Sequence, residues 1–365
     1  MQTIITTTGT SLLANASREL KKKSAEVTND ELRHFFEQVG VEAACAETNS
    51  LLKVAKAEDE IVLLYTKTSE GKRCCQQVEQ YLTSKGWKRV RSRQLVLEQK
   101  EEQFERYGLR HLVDTLVEEI EQAQRRKQDV VINATGGFKA EIAYTTMVGM
   151  IFQVPVKYIY QGFQQPITFP SLPIAWNTDL LLAYNLFFDW IDTEPRPYEE
   201  VEEWLKSIAE ADRTHVRQFL LPPDSENNVF LSPAGDILWK WLQHQYTLAE
   251  LANDPDDSQI PIAKKLSSSL KDEKHHFPKG TKKIVEKIAE ISAVEEIIGG
   301  HFENTTLTRI KGIDESGVIR VLWADSEKAT NLMIRTTARG KAQTLRVCNR
   351  YLCPVLDLPT IKNNG

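Results

Sequence analysis

Two short segments concentrate residues able to hold an anion or a nucleobase: Thr7-Thr8-Gly9-Thr10-Ser11 and Asn133-Ala134-Thr135-Gly136-Gly137-Phe138-Lys139. Each follows a β-branched or apolar run and precedes a helical pattern, so each is a strand-to-helix turn. Glycine there lets backbone N–H groups approach a ligand, hydroxyls add donors, and a helix N-terminus carries partial positive charge. Lys139 adds a cation at the start of its helix. A third loop, Thr66-Lys67-Thr68-Ser69-Glu70-Gly71, follows another apolar run. Neither GxGxxG nor GxxxxGK[ST] is present, so these are not a dinucleotide fingerprint or a P-loop. Any one of them is also what an ordinary strand-to-helix turn looks like. Three on one sheet edge point to a ligand site.

A second group of chemistry-bearing residues lies near the C-terminus. Arg309 and Lys311 alternate with Ile310, so on a strand they share a face. Arg320 and Arg335 fall on further strand-like runs, Arg339 and Lys341 at a strand-to-helix junction, and Arg346, Arg350 and Tyr351 on a closing helix. Carboxylates occur here too, with Asp314, Glu315, Asp325 and Glu327 mainly in turns. Asp325-Ser326-Glu327-Lys328 keeps a metal site as an alternative.

The elements that must position these residues follow from hydrophobic period. Gln2–Thr8, Glu60–Tyr65, Trp87–Leu97, Asp129–Asn133 and Pro155–Tyr160 read as strands, several buried on both faces. Helical patterns at 11–20, 72–83, 109–124 and 139–152 alternate with them, which predicts a doubly wound, mostly parallel Rossmann-like sheet over 1–175. Residues 176–258 change to helices, with Asp179–Trp190, Tyr198–Ala209 and Arg213–Leu220 followed by a short strand, Asn228–Leu231. Ser232-Pro233 then caps a helix over 236–243, an arrangement that suits a winged-helix-like connector. Residues 259–365 read as an α+β module: a helix over 280–298 stopped by Gly299-Gly300, strands at 305–313, 317–323 and 331–337, and a helix over 341–351.

Composition narrows the class. A chain of 365 residues suits two or three domains. With 41% hydrophobic and 27% charged residues it is globular rather than disordered. The longest apolar stretch, Ile142–Val156, is interrupted by Tyr144, Thr145, Thr146 and Gln153, so no membrane span is expected. Met1-Gln2-Thr3 lacks a basic leader region, and a cytoplasmic location follows as an expectation. Five cysteines without a CxxC pair read as reduced thiols. The net charge of −5 is uneven: 192–257 is acidic, whereas from Lys274 onward 15 Lys and Arg face 10 Asp and Glu. Such a basic region attracts phosphates.

The TTTGTSLL opening, Ala46-Glu47-Thr48-Asn49-Ser50-Leu51, LLYTKTSEG and INATGGFKAE together resemble the CARF domain of type III CRISPR ancillary effectors. The resemblance covers roughly residues 1–245, and NATGGFKAE is its most specific part. It implies a homodimeric sensor that binds cyclic oligoadenylate, most commonly cyclic tetra-adenylate, as an allosteric activator, with no other cofactor. Thr8, Gly9, Thr10, Ser11, Asn49, Thr68, Thr135, Gly136, Gly137 and Lys139 would line its pocket. Ser11 and Lys139 would also lie near a ribose and phosphate, which leaves open slow degradation of the activator by the sensor itself.

For the effector, the RxxxxH motif common in such proteins matches only Arg106–His111, inside the sensor and across Gly108, and reads as coincidence. Residues 259–365 instead resemble a RelE-type toxin, an endoribonuclease that cleaves messenger RNA without a metal, often on the ribosome. RNA carries its own 2′-hydroxyl nucleophile, so such an enzyme mainly aligns it and stabilises phosphorane charge. Lys311 would be the base if crowding among arginines lowers its pKa. Arg309 would stand beside that base, Arg320, Arg335 and Arg339 would clamp phosphate, Lys341 would belong to the same catalytic set, and Tyr351 would stack or transfer a proton. Alternatives are a metal-dependent nuclease around Asp314 and Asp325, and a ligand-responsive transcription regulator, although its winged helix would be acidic where DNA binding wants basic charge.

Overall fold

A computed structural model describes residues 1–97, 103–160, 163–170, 177–271 and 277–360. It divides into two compact units, residues 1–175 with 232–237, and residues 176–231 with 238–365. The β-branched Ile4-Ile5-Thr6-Thr7-Thr8 makes strand β1 (Gln2–Thr8), whose Ile4 and Ile5 are both fully buried. A strand with apolar residues on both faces needs cover on both, which the flanking helices supply. The same logic holds for β2 (Glu60–Thr66), buried from Glu60 through Leu64, and for β4 (Asp129–Asn133). With β3 (Val90–Leu95), β5 (Val156–Tyr158) and β6 (Ile167–Phe169) they form a six-stranded sheet in the order β3-β2-β1-β4-β5-β6.

All pairs are parallel except β5 with β6. The registers Thr8↔Tyr65 and Thr6↔Asn133 bring the C-terminal ends of β1, β2 and β4 to one edge. Strand order reverses between β1 and β4, and that is where an open α/β sheet forms a crevice. On one face Leu12, Leu13, Leu32, Phe35, Leu51 and Val78 pack against Ile4, Ile61 and Leu63. Each such fully buried side chain contributes roughly 1.5–3 kcal/mol of transfer free energy. The Rossmann-like expectation is met here; β6, an exposed antiparallel edge, is an addition to it.

In the second unit the helices Asp179–Ala183 and Asn185–Thr193 lead into β7 (Arg196–Pro197), and Tyr198–Ser207 and Glu210–Arg217 separate it from its antiparallel partner β8 (Asn228–Val229). Ser232, counted with the first unit, caps the next helix as its type predicts, its Oγ accepting from the Gly235 N–H at 3.1 Å. That helix runs to Leu251, past the expected end at 243. Four strands, β9 (Val294–Glu303), β10 (Arg309–Ile313), β11 (Val318–Ala324) and β12 (Ala329–Thr336), make an antiparallel sheet in the order β10-β11-β12-β9. Phe187, Phe188, Trp239, Val285, Ile319 and Leu345 belong to one continuous core. The sequence divides this stretch at 258/259, whereas both sides of that boundary bury their apolar residues together.

The expected helix over 280–298 is the clearest correction. It spans only Thr281–Ala289, and the chain then becomes β9, straight through Gly299-Gly300. Val294, Ile297 and Ile298 are β-branched and favour a pleated surface. The glycines are there for close approach: a Cβ on Gly299 would lie 2.8 Å from Leu270 Cδ2, and one on Gly300 would lie 3.3 Å from Asn331 Cβ. The closing helix is Gly340–Val347, followed by a π-turn over Cys348–Leu352. All five cysteines are buried and free. Among the described residues no helix is long and apolar enough to cross a membrane.

Candidate functional site

The loops after β1 and β4 meet at the crevice and are latched together. Thr7 Oγ1 donates to the Gly136 carbonyl at 2.5 Å. Asn133, fully buried, donates to Ser50 Oγ at 2.8 Å and accepts from Thr135 Oγ1 at 2.8 Å. The centre of the arrangement is Glu47, a buried carboxylate at the start of the helix Ala46–Val54. Its Oε1 accepts from the Gly9 N–H at 2.8 Å and its Oε2 from Ser11 Oγ at 2.9 Å. The glycines follow from this packing. A Cβ on Gly136 would stand 2.4 Å from Glu47 Oε1 and 2.7 Å from the Thr7 carbonyl. Gly137 has φ +99°, and a Cβ there would meet Glu141 Oε2 at 2.1 Å.

Above these loops lies a cavity of about 700 Å³. Thr8, Gly9, Thr10, Ser11, Thr68, Thr135, Gly136 and Gly137 line it, so eight of the expected residues share one site. Thr68 also caps the helix Ser69–Ser84, accepting from the Gly71 N–H at 2.9 Å. The other two expected residues do not line the cavity. Asn49 Oδ1 accepts from Lys53 Nζ at 3.0 Å, and Lys139 is an exposed first residue of its helix.

Lining residues outside the expected set include Glu47, Glu141, Phe104 and Phe138. Glu141 is 2% exposed. Burial pushes its carboxyl up to about 7, opposed only by the Phe138 backbone N–H. Three residues into a helix, an acid reads as a capping residue, and that ordinary role hid it. Phe104 and Phe138 stand edge to face, with centroids 6.3 Å apart.

In the second unit a cavity of about 430 Å³ is bordered by Asp179, Asp212, His215, Arg309 and Lys311. Arg309, 7% exposed, has its guanidinium 5.1 Å from the centre of the Tyr184 ring and 3.6 Å from Asp212 Oδ2. Tyr184 donates its hydroxyl to the same oxygen at 2.6 Å, and burial together with that carboxylate pushes it up to about 12. Lys311 Nζ donates to Glu303 at 2.8 Å and to Asn331 at 3.1 Å. Burial works to raise the Glu303 carboxyl, but these donors outweigh it and hold it below its ordinary value. The expected surroundings of Lys311, a crowd of arginines, are thus replaced by a carboxylate and an amide.

Arg320 stands 3.5 Å from Asp179 and 3.8 Å from Asp314. Lys341 donates to Thr178 Oγ1 at 3.4 Å; burial lowers its pKa, while Asp179 and Glu315 work against that. Arg309, Lys311, Arg320 and Lys341 therefore gather around the segment 177–183 and Asp212. The remaining expected residues are engaged elsewhere: Arg335 with Glu296 at 3.2 Å, Arg339 with the Ala338 carbonyl at 3.0 Å, and Tyr351 with Asp254 at 2.9 Å. His215 joins this cavity from the helix Glu210–Arg217, a position with no sequence signal beyond its type.

The acids of the metal alternative brace their own turns. Asp314 Oδ1 accepts from the Ser316 and Val318 N–H groups at 2.9 and 3.0 Å. Asp325 Oδ1 accepts from Glu327 and Lys328 at 2.8 and 2.9 Å. Among the described residues no three His, Cys, Asp or Glu side chains gather to hold a metal ion.

Residues 42–172 match the family model described as CRISPR-associated protein (Cas_APE2256). That span includes the helix bearing Glu47 and the whole Asn133–Lys139 loop. Among solved structures, Can2 from Sulfobacillus thermosulfidooxidans in complex with cyclic tetra-adenylate is similar at 13% identity, over 69% of this chain and 68% of that one, with a TM-score of 0.27. Protein VC1899 from Vibrio cholerae is similar at 6% identity, over 92% and 77% of the two chains, with a TM-score of 0.28.

Proposed function

We propose that the first unit is a cyclic oligoadenylate sensor of a type III CRISPR system, and that residues 176–365 carry an endoribonuclease switched on by it. The observation that carries this reading is the joining of both glycine loops at the β1/β4 switch point under one cavity, the second of them within the span that matches a CRISPR-associated family. The sensor works as a homodimer, because a symmetric ring is read most economically by the same residues twice. Exposed aromatic and apolar side chains on and beside the edge strand β6 (Tyr160, Phe163, Ile167 and Phe169) support a surface for a second copy. Cyclic tetra-adenylate is the activator.

In the second unit, a winged-helix-like segment leads into a RelE-like effector sheet. Arg309, Lys311 and Arg320 receive the RNA phosphate, which displaces the carboxylates now paired with them. Lys341, whose burial favours the neutral amine, is better placed than Lys311 to act as base. Messenger RNA, on the ribosome, is the substrate, cleaved through its 2′-hydroxyl without a metal. Titration calorimetry of the full chain with cyclic tetra-adenylate tests the sensor half. One ring bound per two chains is expected, and absence of binding overturns the reading.

A further inference from the structure

We propose that Glu141 reads the amino edge of an adenine in the first unit's cavity, with Thr8 as its companion. This rests on the sensor reading above and deepens it. Among the described residues Glu141 Oε1 and Thr8 Oγ1 have no hydrogen-bond partner; both residues line this cavity and are 2% exposed. A buried polar atom left unpaired is costly, so one aimed into a cavity marks where a ligand completes it.

The chemistry of the two atoms selects the ligand group. The other carboxyl oxygen packs under Gly137, and the Phe138 N–H serves the carboxyl from the helix start. Once the carboxyl is ionised, above about pH 7, Oε1 remains as an acceptor, and phosphate oxygens offer it no proton. An exocyclic amine does, while the Thr8 hydroxyl can donate to a neighbouring ring nitrogen. Phe104, Phe138 and Leu97 border the same cavity and supply apolar walls for the flat face of a purine. Apolar walls in the same cavity as an acceptor and a hydroxyl suit a base better than a ribose, which has no face to stack.

A 6-oxo purine puts an oxygen where adenine has its amine, so Glu141 would face a second acceptor. Calorimetry at about pH 8, where Glu141 is ionised, with cyclic tetra-adenylate and with the corresponding hypoxanthine ring tests this on the wild-type chain and on Glu141→Gln, whose amide can donate. The wild type should prefer the adenine ring by about 10- to 100-fold, the cost of one unpaired buried group. Glu141→Gln should shrink that preference to within about threefold, mostly by gaining the hypoxanthine ring. Circular dichroism and a melting curve confirm that the variant is folded, and Thr8→Val, which removes only the companion hydroxyl, should weaken both rings. An unchanged preference in folded Glu141→Gln overturns the assignment while leaving the sensor reading intact. Binding of neither ring by the wild type overturns both.

Discussion

Glu47 spends its two oxygens on the Gly9 N–H and the Ser11 hydroxyl, donors that a phosphate ligand would otherwise use. It therefore shapes the loop rather than leaving it free, and any ligand must find its donors in what remains. Glu47→Ala should leave those groups unpaired and lower stability by about 1–3 kcal/mol, read as a fall in melting temperature. Glu141 adds a pH dependence. Its carboxyl rises from the ordinary 4.5 to about 7 on folding. The folded state holds the proton more tightly than the unfolded chain, so the contribution is fully present below pH 4.5 and is lost as pH rises through about 7. Its full size is about 3 kcal/mol. Denaturant unfolding of wild type and Glu141→Gln between pH 5 and 8 should show the wild type losing stability relative to the variant; parallel curves would contradict this.

Elements differ in how plainly their residues announce them. The strands at 60–66 and 129–133 are legible because a strand covered on both faces is a short apolar run bounded by turn residues. The stretch 280–298 misleads because Ile284, Val285, Ile288 and Ile291 set a helical spacing that Val294 and Ile297 continue by accident, and only β12 pairing makes the latter a strand. Eight cavity residues were legible from hydroxyl and glycine types in the loops, yet Glu47 and Glu141 were not, since an acid near a helix start looks like a cap. Gly149, in the helix Lys139–Ile151, illustrates packing that overrides propensity. Alanine there normally favours a helix by about 1 kcal/mol. Here its Cβ would lie 2.2 Å from Val156 Cγ2, so Gly149→Ala should melt lower than wild type, by about 1–3 kcal/mol. A higher melting point would show that β5 yields easily.

At the scale of the whole molecule, the proposed function divides recognition and chemistry between the two units. Activation then depends on how much better the ring binds the competent state than the silent one, and a ring with equal affinity for both would shift nothing. The basic excess beyond Lys274 fits RNA binding in the second unit, but its cations are paired with carboxylates such as Asp179, Asp212 and Glu303. That pairing was not legible from sequence, because partners such as Asp179 and Arg320 lie far apart in the chain. The most direct test is cleavage of labelled messenger RNA by the full chain in EDTA with ribosomes present, with and without cyclic tetra-adenylate. The account predicts cleavage only when the ring is added, undiminished by EDTA. Intact RNA in the presence of the ring, whether in EDTA or in magnesium, would contradict it.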